Sequence, residues 1–303
     1  DVASGTTPYT LGFRKAYKIT NGNQTSGAGA ADYVGIYYYM EGQDISSSGW
    51  NTTDPDSKIT ISYWVKSSVA QTFYGKARAY ASSQYEYTYG IALSADTWTK
   101  VTETMGGNSN FSSLVNTNSA GFNHNLMLFF GTDYTNNKTL GEWAAKDNAN
   151  KSPDMTSTWY TTNDATFEIT GVQLEVGTAT DFEHRSYGDE LLRCKRYYEV
   201  YAPVTNDDGS LNVWRTRTSV NNYNGVVHFF EKRSQPTCTL DYDRLHKPGV
   251  AKDTLSNISI TIGSGQTQSC TVNCTPDSDS TISTSAFLGK NSGTAKVTLD
   301  AEL

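Results

Sequence analysis

Apolar and polar residues alternate along several segments of the chain. Apolar residues occupy every second position from Ile59 to Val65, and the pattern recurs for nine residues from Tyr85 to Leu93. A period of two places every second side chain on one face, which is typical of half-buried β-strands. The run Asn125 to Phe130 is apolar on both faces and indicates a central strand. Several strands at this spacing, separated by loops, predict a β-sandwich.

One of these strands changes phase partway along its length. Phe167 and Ile169 share one phase, whereas Val172, Leu174 and Val176 share the opposite one. A strand that keeps one face buried needs an extra residue to change phase. We therefore predict a β-bulge at Thr170-Gly171.

A single helical pattern follows this strand. Ser186 is an N-cap candidate, and the acidic Asp189 and Glu190 suit the positive end of a helix. Leu191, Cys194 and Tyr198 are spaced so that they share one helical face. We predict one short helix from Tyr187 to Tyr198 that links two β domains, with residues 1–187 in the first and 188–303 in the second.

Strand patterns resume after the helix and continue to the end of the chain. Leu211 to Val220, Thr237 to Tyr242 and Gln268 to Asn273 are examples. Cys270 and Cys274 would then lie on one strand face but roughly 13 Å apart along it, too far for a disulfide. We expect the 4 cysteines to be reduced thiols.

The composition and charge of the chain argue against nucleic acid and membrane as partners. The 303 residues include 20 Tyr and 25 Gly, and the net charge of −7 makes nucleic acid an unsuitable partner. The densest apolar run, Leu126 to Phe130, is far shorter than the roughly 20 residues that cross a bilayer, so we predict no membrane insertion. Because the chain begins with Asp1 rather than Met, we expect a processed product or a fragment of a longer protein.

The sequence contains no spacing of acidic residues or histidines that indicates a catalytic site. The nearest acid pairs are Asp54 with Asp56, Asp207 with Asp208 and Asp241 with Asp243. Spacing in the sequence does not place two carboxyl groups across a cleft, and Asp beside Pro55 or Gly209 is typical of turns. The 4 histidines show no metal-ligand spacing. We therefore predict that the protein is not an enzyme.

Aromatic residues in loops are candidates for sugar binding, because the apolar faces of sugar rings stack on Trp and Tyr. The segment from Gly131 to Thr166 is too long for a simple connection and is expected to be functional. The candidate ligand-binding residues are Trp143, Trp159, Tyr160 and Tyr134 in this segment and Trp50 in another loop. The alternative is that these rings pack their own loops against the domain.

One stretch resembles a known family. The matching segments are Ile169–Gly177, Phe182–Leu191 and Cys194–Tyr198, with shorter matches at Trp64–Ser67, Asp133–Tyr134, Trp143, Gln235–Thr237 and Leu299–Leu303. They resemble bacteriophage tail-fibre and related virion proteins, especially those of phages of marine bacteria. In that family the segment ends a jelly-roll module similar to carbohydrate-binding modules. The resemblance thus implies an all-β protein with an N-terminal jelly-roll β-sandwich, the short linking helix and a smaller C-terminal β domain.

The resemblance also implies a function. It indicates a virion adhesion protein, a tail-fibre or spike segment, that binds a host surface polysaccharide; the alternative is a purely structural virion protein such as a capsid decoration or fibre shaft segment. A homotrimer is implied, in contact with other virion proteins, assembled in the host cytoplasm and carried on the particle surface. Jelly rolls of this kind often hold a structural Ca²⁺, for which Glu175 and Asp32 are the candidate ligands.

Overall fold

The fold is known from a computed structural model. It describes residues 1–23, 26–114, 116–205, 211–215, 223–246, 253–276, 285–290 and 294–302. The chain divides into two compact units, Asp1–Glu183 and His184–Leu303.

The first unit is an antiparallel β-sandwich. Its described strands are β1 (Tyr17–Thr20), β2 (Tyr33–Glu41), β3 (Lys58–Ser67), β4 (Gln71–Tyr80), β5 (Gln84–Leu93), β6 (Thr99–Gly106), β7 (Ala120–Phe130), β8 (Trp143–Ala145) and β9 (Thr166–Val176). Among the described residues, one sheet has the order β1-β9-β3-β6 and the other the order β2-β7-β4-β5-β8. Apart from the short β8, this is the strand order of a jelly roll, which confirms the predicted fold class.

The core lies between these two sheets, where the alternating pattern placed it. Ile59, Ile61, Tyr63 and Val65 of β3 are all buried, as predicted. They face a second set of buried side chains from the five-stranded sheet, among them Phe73, Ala77, Tyr89, Phe122 and Leu126.

The predicted β-bulge is present and confirmed. In the pairing of β3 with β9, Ser62 is opposite Gln173 but Trp64 is opposite Thr170, so β9 holds one residue more than β3. Gly171 in this bulge has a φ of +61°, a left-handed conformation that glycine adopts without strain. The extra residue lets β9 bury Phe167 and Ile169 before the bulge and turn Leu174 toward the core after it.

The structure contains more helix than the sequence predicts. Besides the predicted helix, the short helices of the first unit are α1 (Thr7–Thr10), α2 (Gly42–Ser47), a 3-10 helix (Ser109–Phe111) and α3 (Thr158–Thr161). Each spans at most six residues, too few for a helical period to show in the sequence. No helix in the described ranges is long and apolar enough to cross a bilayer.

The second unit begins with α4 (Tyr187–Lys195), the predicted short helix. Ser186 caps it by accepting a hydrogen bond from the backbone N–H of Asp189 at 3.2 Å. The predicted apolar face is not buried, since none of the nine residues of α4 is buried and Leu191 is exposed. The helix is therefore stabilised by its cap and by end charges that match its dipole more than by a core contact.

The rest of the second unit is β structure. Its described strands are β10 (Tyr198–Thr205), β11 (Leu211–Arg215), β12 (Tyr223–His228), β13 (Thr237–Asp241), β14 (Arg244–His246), β15 (Asp253–Thr261), β16 (Ser269–Pro276), β17 (Ser285–Gly289) and β18 (Thr294–Asp300). Residues 216–220 of the strand predicted to reach Val220 lie outside the described residues. In the described part, β11-β12-β16-β15-β14-β17 form a sheet closed on itself, and β10-β18-β13 form a separate sheet. Cys270 and Cys274 are both buried on β16 and are free thiols.

Candidate functional site

The outer face of the five-stranded sheet, which points away from the sandwich core, carries an ordered set of polar and aromatic side chains. In one row across the sheet, Tyr37 of β2 pairs with Asn125 of β7, which pairs with Lys76 of β4. In the next row, the same pairing joins Tyr39, Asn123 and Arg78, and Arg78 pairs with Glu86 of β5. We call these seven residues the tyrosine–basic face: Tyr37, Tyr39, Lys76, Arg78, Glu86, Asn123 and Asn125.

Both rows repeat one chemical order. Each presents a tyrosine at the sheet edge, an amide in the middle and a basic residue beyond it. Rows two residues apart along a strand are separated by roughly 7 Å, and the tyrosine and the basic residue of a row, two strands apart, by roughly 10 Å. This regular grid can hold an elongated ligand with a repeating structure.

The tyrosines of the face are accessible, whereas the amides below them are buried. The side chain of Tyr37 is 42% exposed, and Tyr39 is half-buried. Among the described residues, neither amide atom of Asn125 has a hydrogen-bond partner, nor does Oδ1 of Asn123. Buried amide atoms without a hydrogen-bond partner lower stability, and a polar group that reached them would recover part of that loss.

Charge is concentrated at one end of the face. The carboxylate of Glu86 is fully buried and accepts a hydrogen bond from Lys76 Nζ at 2.9 Å. Arg78 donates to the same oxygen, Oε1, through Nε at 2.9 Å and Nη2 at 2.6 Å. The other oxygen, Oε2, has Lys138 Nζ at 3.9 Å. Three cations thus surround one carboxylate.

Burial of this charge affects the lysines. Desolvation lowers the pKa of Lys76 to about 8, even though Glu86 favours its charged form. Desolvation, and then the charge of Arg78, also lower the pKa of Lys151. Both lowered pKa values follow mainly from burial of the ammonium groups, and the attraction of Glu86 offsets this effect only in part.

The segment between β7 and β9 folds over one end of the face. The carbonyl of Lys151 accepts a hydrogen bond from Thr88 Oγ1 of β5 at 3.3 Å. The ammonium group of Lys151 lies 4.1 Å from the ring centre of Tyr134 and 5.4 Å from that of Phe130. The ring of Tyr33, which is exposed, meets the rings of Tyr134 and Phe130 edge to face. Aromatic rings therefore continue to the end of the sheet.

A small cleft opens at this end. Its volume is about 210 Å³, and its walls include Gly29, Phe130, Gly131 and Asp154. The carboxylate of Asp154 accepts a hydrogen bond from Thr135 Oγ1 at 2.7 Å. The cleft adds hydrogen-bonding groups at the margin of the aromatic surface.

Two of the tryptophans predicted to bind a ligand are part of the core instead. Trp159 is completely buried, with its indole N–H donating to the carbonyl of Thr166 at 3.1 Å, so its ring has no free face for stacking on a sugar. Trp50 is also buried, against Phe111 and Phe122. Burying a large aromatic ring stabilises the fold more than leaving it in a loop, which is why both rings turn inward.

The other three predicted residues are partly buried. Trp143 of β8 meets Phe111 edge to face at 4.8 Å and donates its indole N–H to the carbonyl of Gly106, so it closes one side of the core. Tyr160 stacks on Phe129 at 4.5 Å. Of the five predicted residues, only Tyr134 belongs to the aromatic surface beside the tyrosine–basic face.

The two predicted calcium ligands, Glu175 and Asp32, form hydrogen bonds with different partners. Glu175 lies near the last residue of β9, where its carboxylate accepts hydrogen bonds from Thr180. Asp32 accepts a hydrogen bond from Tyr160, which precedes the first residue of β9. Within the described ranges, no group of three His, Cys, Asp or Glu side chains could hold a metal ion.

Comparisons with known proteins give likenesses to solved structures but not to families or curated proteins. No protein-family model matches the chain, and no curated protein matches it significantly. A solved structure described as "Family 16 Carbohydrate Binding Module-2" aligns with 54% of this chain and 77% of its own, at 12% sequence identity and a TM-score of 0.28. A TM-score this low does not establish a shared fold or ligand. The jelly-roll fold follows from the strand order of the chain itself.

Proposed function

We propose that the first unit binds a polysaccharide on the tyrosine–basic face. The observation that carries this proposal is the combination, in two adjacent rows, of accessible tyrosine rings with buried amides that keep unpartnered atoms among the described residues. Both amide atoms of Asn125 lack a partner, whereas Asn123 donates through Nδ2 to the hydroxyl of Tyr80 at 2.9 Å and lacks a partner only at Oδ1. Sugar rings offer apolar faces that stack on tyrosine and hydroxyl groups that bind amides. Two equivalent rows suit a polymer of repeating units.

The biological setting of this binding is an adhesion protein of a bacteriophage, a tail-fibre or spike segment that attaches the virion to a host surface polysaccharide. The resemblance of Ile169–Gly177, Phe182–Leu191 and Cys194–Tyr198 to virion proteins supports this setting. The same resemblance supports a homotrimer that contacts other virion proteins, because axial fibres have cyclic symmetry. Light scattering tests the trimer, and a stable monomer at micromolar concentration would contradict it.

Binding is proposed to occur without turnover. A glycosidase needs two carboxyl groups about 5 to 10 Å apart across the scissile bond. On the tyrosine–basic face the one carboxylate, Glu86, is fully buried and engaged by three cations, so it is not placed to attack or protonate a substrate. Incubation with a bound polysaccharide, followed by analysis of reducing ends, tests this: release of oligosaccharides would refute it.

Two neighbouring tyrosines give a matched test of the site. Tyr37 and Tyr38 are adjacent and both exposed, but they lie on opposite faces of β2. Affinity gel electrophoresis in dextran, mannan, alginate and dextran sulfate would identify a polysaccharide that retards the protein. Tyr37→Ala should weaken that binding by roughly thirtyfold, since an aromatic anchor contributes about 2 kcal/mol, whereas Tyr38→Ala should leave it unchanged.

Each outcome of this test is decisive. Equal losses in both variants would place the site elsewhere. Absence of binding to every polysaccharide would refute the proposed binding activity and favour the alternative of a purely structural virion protein.

A further inference from the structure

The charges of the tyrosine–basic face identify the kind of polysaccharide. We propose that the ligand is an acidic polysaccharide whose carboxylate or sulfate groups lie beside Arg78 and Lys151. This inference rests on the proposed function, since it names the ligand class of the same site. It follows from the local charge balance, from the accessibility of the cations and from the position of the amides.

The local charge balance is strongly positive. Lys76, Arg78 and Lys138 surround Glu86, with nitrogen–oxygen distances from 2.6 to 3.9 Å. Lys151 adds a fourth cation, and among the described residues no carboxylate oxygen lies within salt-bridge distance of its Nζ. Asp154 is a second carboxylate at the margin of this face, where its charge acts on Tyr74 of β4. Among these named groups the four cations exceed the two carboxylates by two, and Lys146 adds a further positive charge that acts on Lys151.

This local excess contrasts with the chain as a whole, which carries a net charge of −7. An acidic protein repels a polyanion at long range, and salt screens that repulsion beyond about 10 Å. Basic residues gathered on one sheet face create a local positive potential that can attract and orient an anionic ligand. Scattered surface lysines would not have this effect.

The cations differ in what they can contact. Lys76 and Lys138 are buried and act through their charge, whereas Arg78 and Lys151 are partly exposed and can donate hydrogen bonds to a ligand. A guanidinium group suits carboxylate and sulfate oxygens because it presents several N–H donors in one plane. In each row the basic residue stands beyond the amide, as seen from the tyrosine. A sugar ring stacked on the tyrosine would therefore direct its acidic substituent toward the basic residues.

A nucleic acid also combines negative charge with aromatic rings, but the tyrosine–basic face suits it less well than an acidic polysaccharide. Single strands are usually bound by stacked rings along a continuous basic groove, and here each row combines a ring with an amide suited to hydroxyl groups. Single-stranded DNA is therefore included in the test as a competing ligand.

The test uses pairs of polymers that share a backbone and differ in charge. Alginate is compared with carboxyl-reduced alginate, and dextran sulfate with dextran, on the full chain by calorimetry at two salt concentrations. We expect one acidic polymer to bind at least tenfold more tightly than its neutral counterpart and to lose affinity as salt rises. The two pairs distinguish carboxylate from sulfate as the recognised group.

A matched lysine pair tests the location. Lys151→Met keeps most of the side-chain length and removes a charge from the face, and we expect at least a fivefold loss of affinity for the acidic polymer. Lys18→Met removes an exposed lysine from β1 in the opposite sheet and should have no effect. Equal effects of the two substitutions would overturn the assignment of the anion to this face.

The remaining outcomes separate this inference from the proposed function. If neutral polymers bind as tightly as acidic ones and Tyr37→Ala abolishes both, the acidic ligand is refuted while polysaccharide binding stands. If single-stranded DNA binds as tightly as the acidic polymers, recognition of a sugar acid is refuted. If no polymer binds, both proposals fail.

Discussion

Protonation of His124 is expected to make the first unit sensitive to acid. This histidine lies in β7 on the core side of the sheet, between Asn123 and Asn125, and only 4% of its surface is exposed. Its Nε2 is 2.6 Å from the hydroxyl of Tyr89, which is 2.7 Å from that of Tyr63. Burial lowers the pKa of His124 to about 3 from an ordinary value of 6.5.

The magnitude follows from proton linkage. Well above pH 6.5 the imidazole is neutral in both states, and as the pH falls toward 3 the unfolded chain binds a proton that the folded chain does not. Stability is therefore lost between pH 6.5 and 3. At 1.36 kcal/mol for each pH unit, His124 alone should lower the free energy of unfolding by about 3 kcal/mol between pH 7 and pH 4, and by about 5 kcal/mol below pH 3.

The assay is urea unfolding at pH 7 and pH 4, followed by tryptophan fluorescence, because 5 of the 6 tryptophans lie in the first unit. His124→Gln should lose about 3 kcal/mol less than the unsubstituted protein over this interval, whereas His228→Gln, at an exposed position, should behave like the unsubstituted protein. Equal acid losses in all three proteins would refute the argument. An NMR titration of folded His124 with a midpoint near 6.5 would refute it independently.

Three further substitutions test the site and the core by urea unfolding at pH 7. Glu86→Gln removes the carboxylate that three cations surround, and it should lower the free energy of unfolding by about 3–5 kcal/mol. The control is Glu183→Gln, at an exposed carboxylate, and an equally small loss in both variants would show that Glu86 does not stabilise the cations around it. Trp159→Ala should cost about 3–5 kcal/mol because the ring is fully buried, and a cost below about 1 kcal/mol would contradict its place in the core. Gly171→Ala should cost about 2–4 kcal/mol, since its φ is positive and the added Cβ would lie 2.5 Å from the ring of Phe13. Gly177→Ala has a positive φ and open space around it, so it should cost less, and equal costs would show that the ring contact is unimportant.

The features that were predictable from the sequence are those set by neighbouring residues. The buried side of β3 follows from strict alternation between Ile59 and Val65. The bulge at Gly171 follows from a phase change within ten residues. The short helix follows from its cap at Ser186 and its end charges. Each of these signals depends on local geometry, which the sequence displays directly.

The tyrosine–basic face could not be predicted in the same way, because each row joins residues that are far apart in the chain. Tyr37, Asn125 and Lys76 meet only because β7 pairs with both β2 and β4. Alternation shows which side chains share a face of one strand, but it does not show which strands are neighbours.

One signal for this face was nevertheless present in the sequence. Lys76 and Arg78 in β4, and Asn123 and Asn125 in β7, place polar residues at every second position of two strands whose core-facing positions, apart from His124, are mostly apolar. Central strands are usually apolar on both faces when both are covered, so a regular polar set there indicates a face with another role. The tryptophans were a misleading signal, because large rings near a sandwich gain most by being buried in it.

Most of the buried polar atoms that lack a hydrogen-bond partner lie on one face of the sandwich. Of the eight buried side-chain atoms without a hydrogen-bond partner in the described part of the chain, five belong to Gln84, Glu86, Asn123 and Asn125 on the outer side of the five-stranded sheet. Unpartnered buried amides and closely spaced cations each lower stability, and apolar side chains at the same positions would avoid that loss. A fold that obeys local rules elsewhere and breaks them together at one surface has groups there that an external partner can satisfy. Hydroxyl groups would satisfy the amides and an anionic substituent would satisfy the cations, and a single acidic polysaccharide carries both.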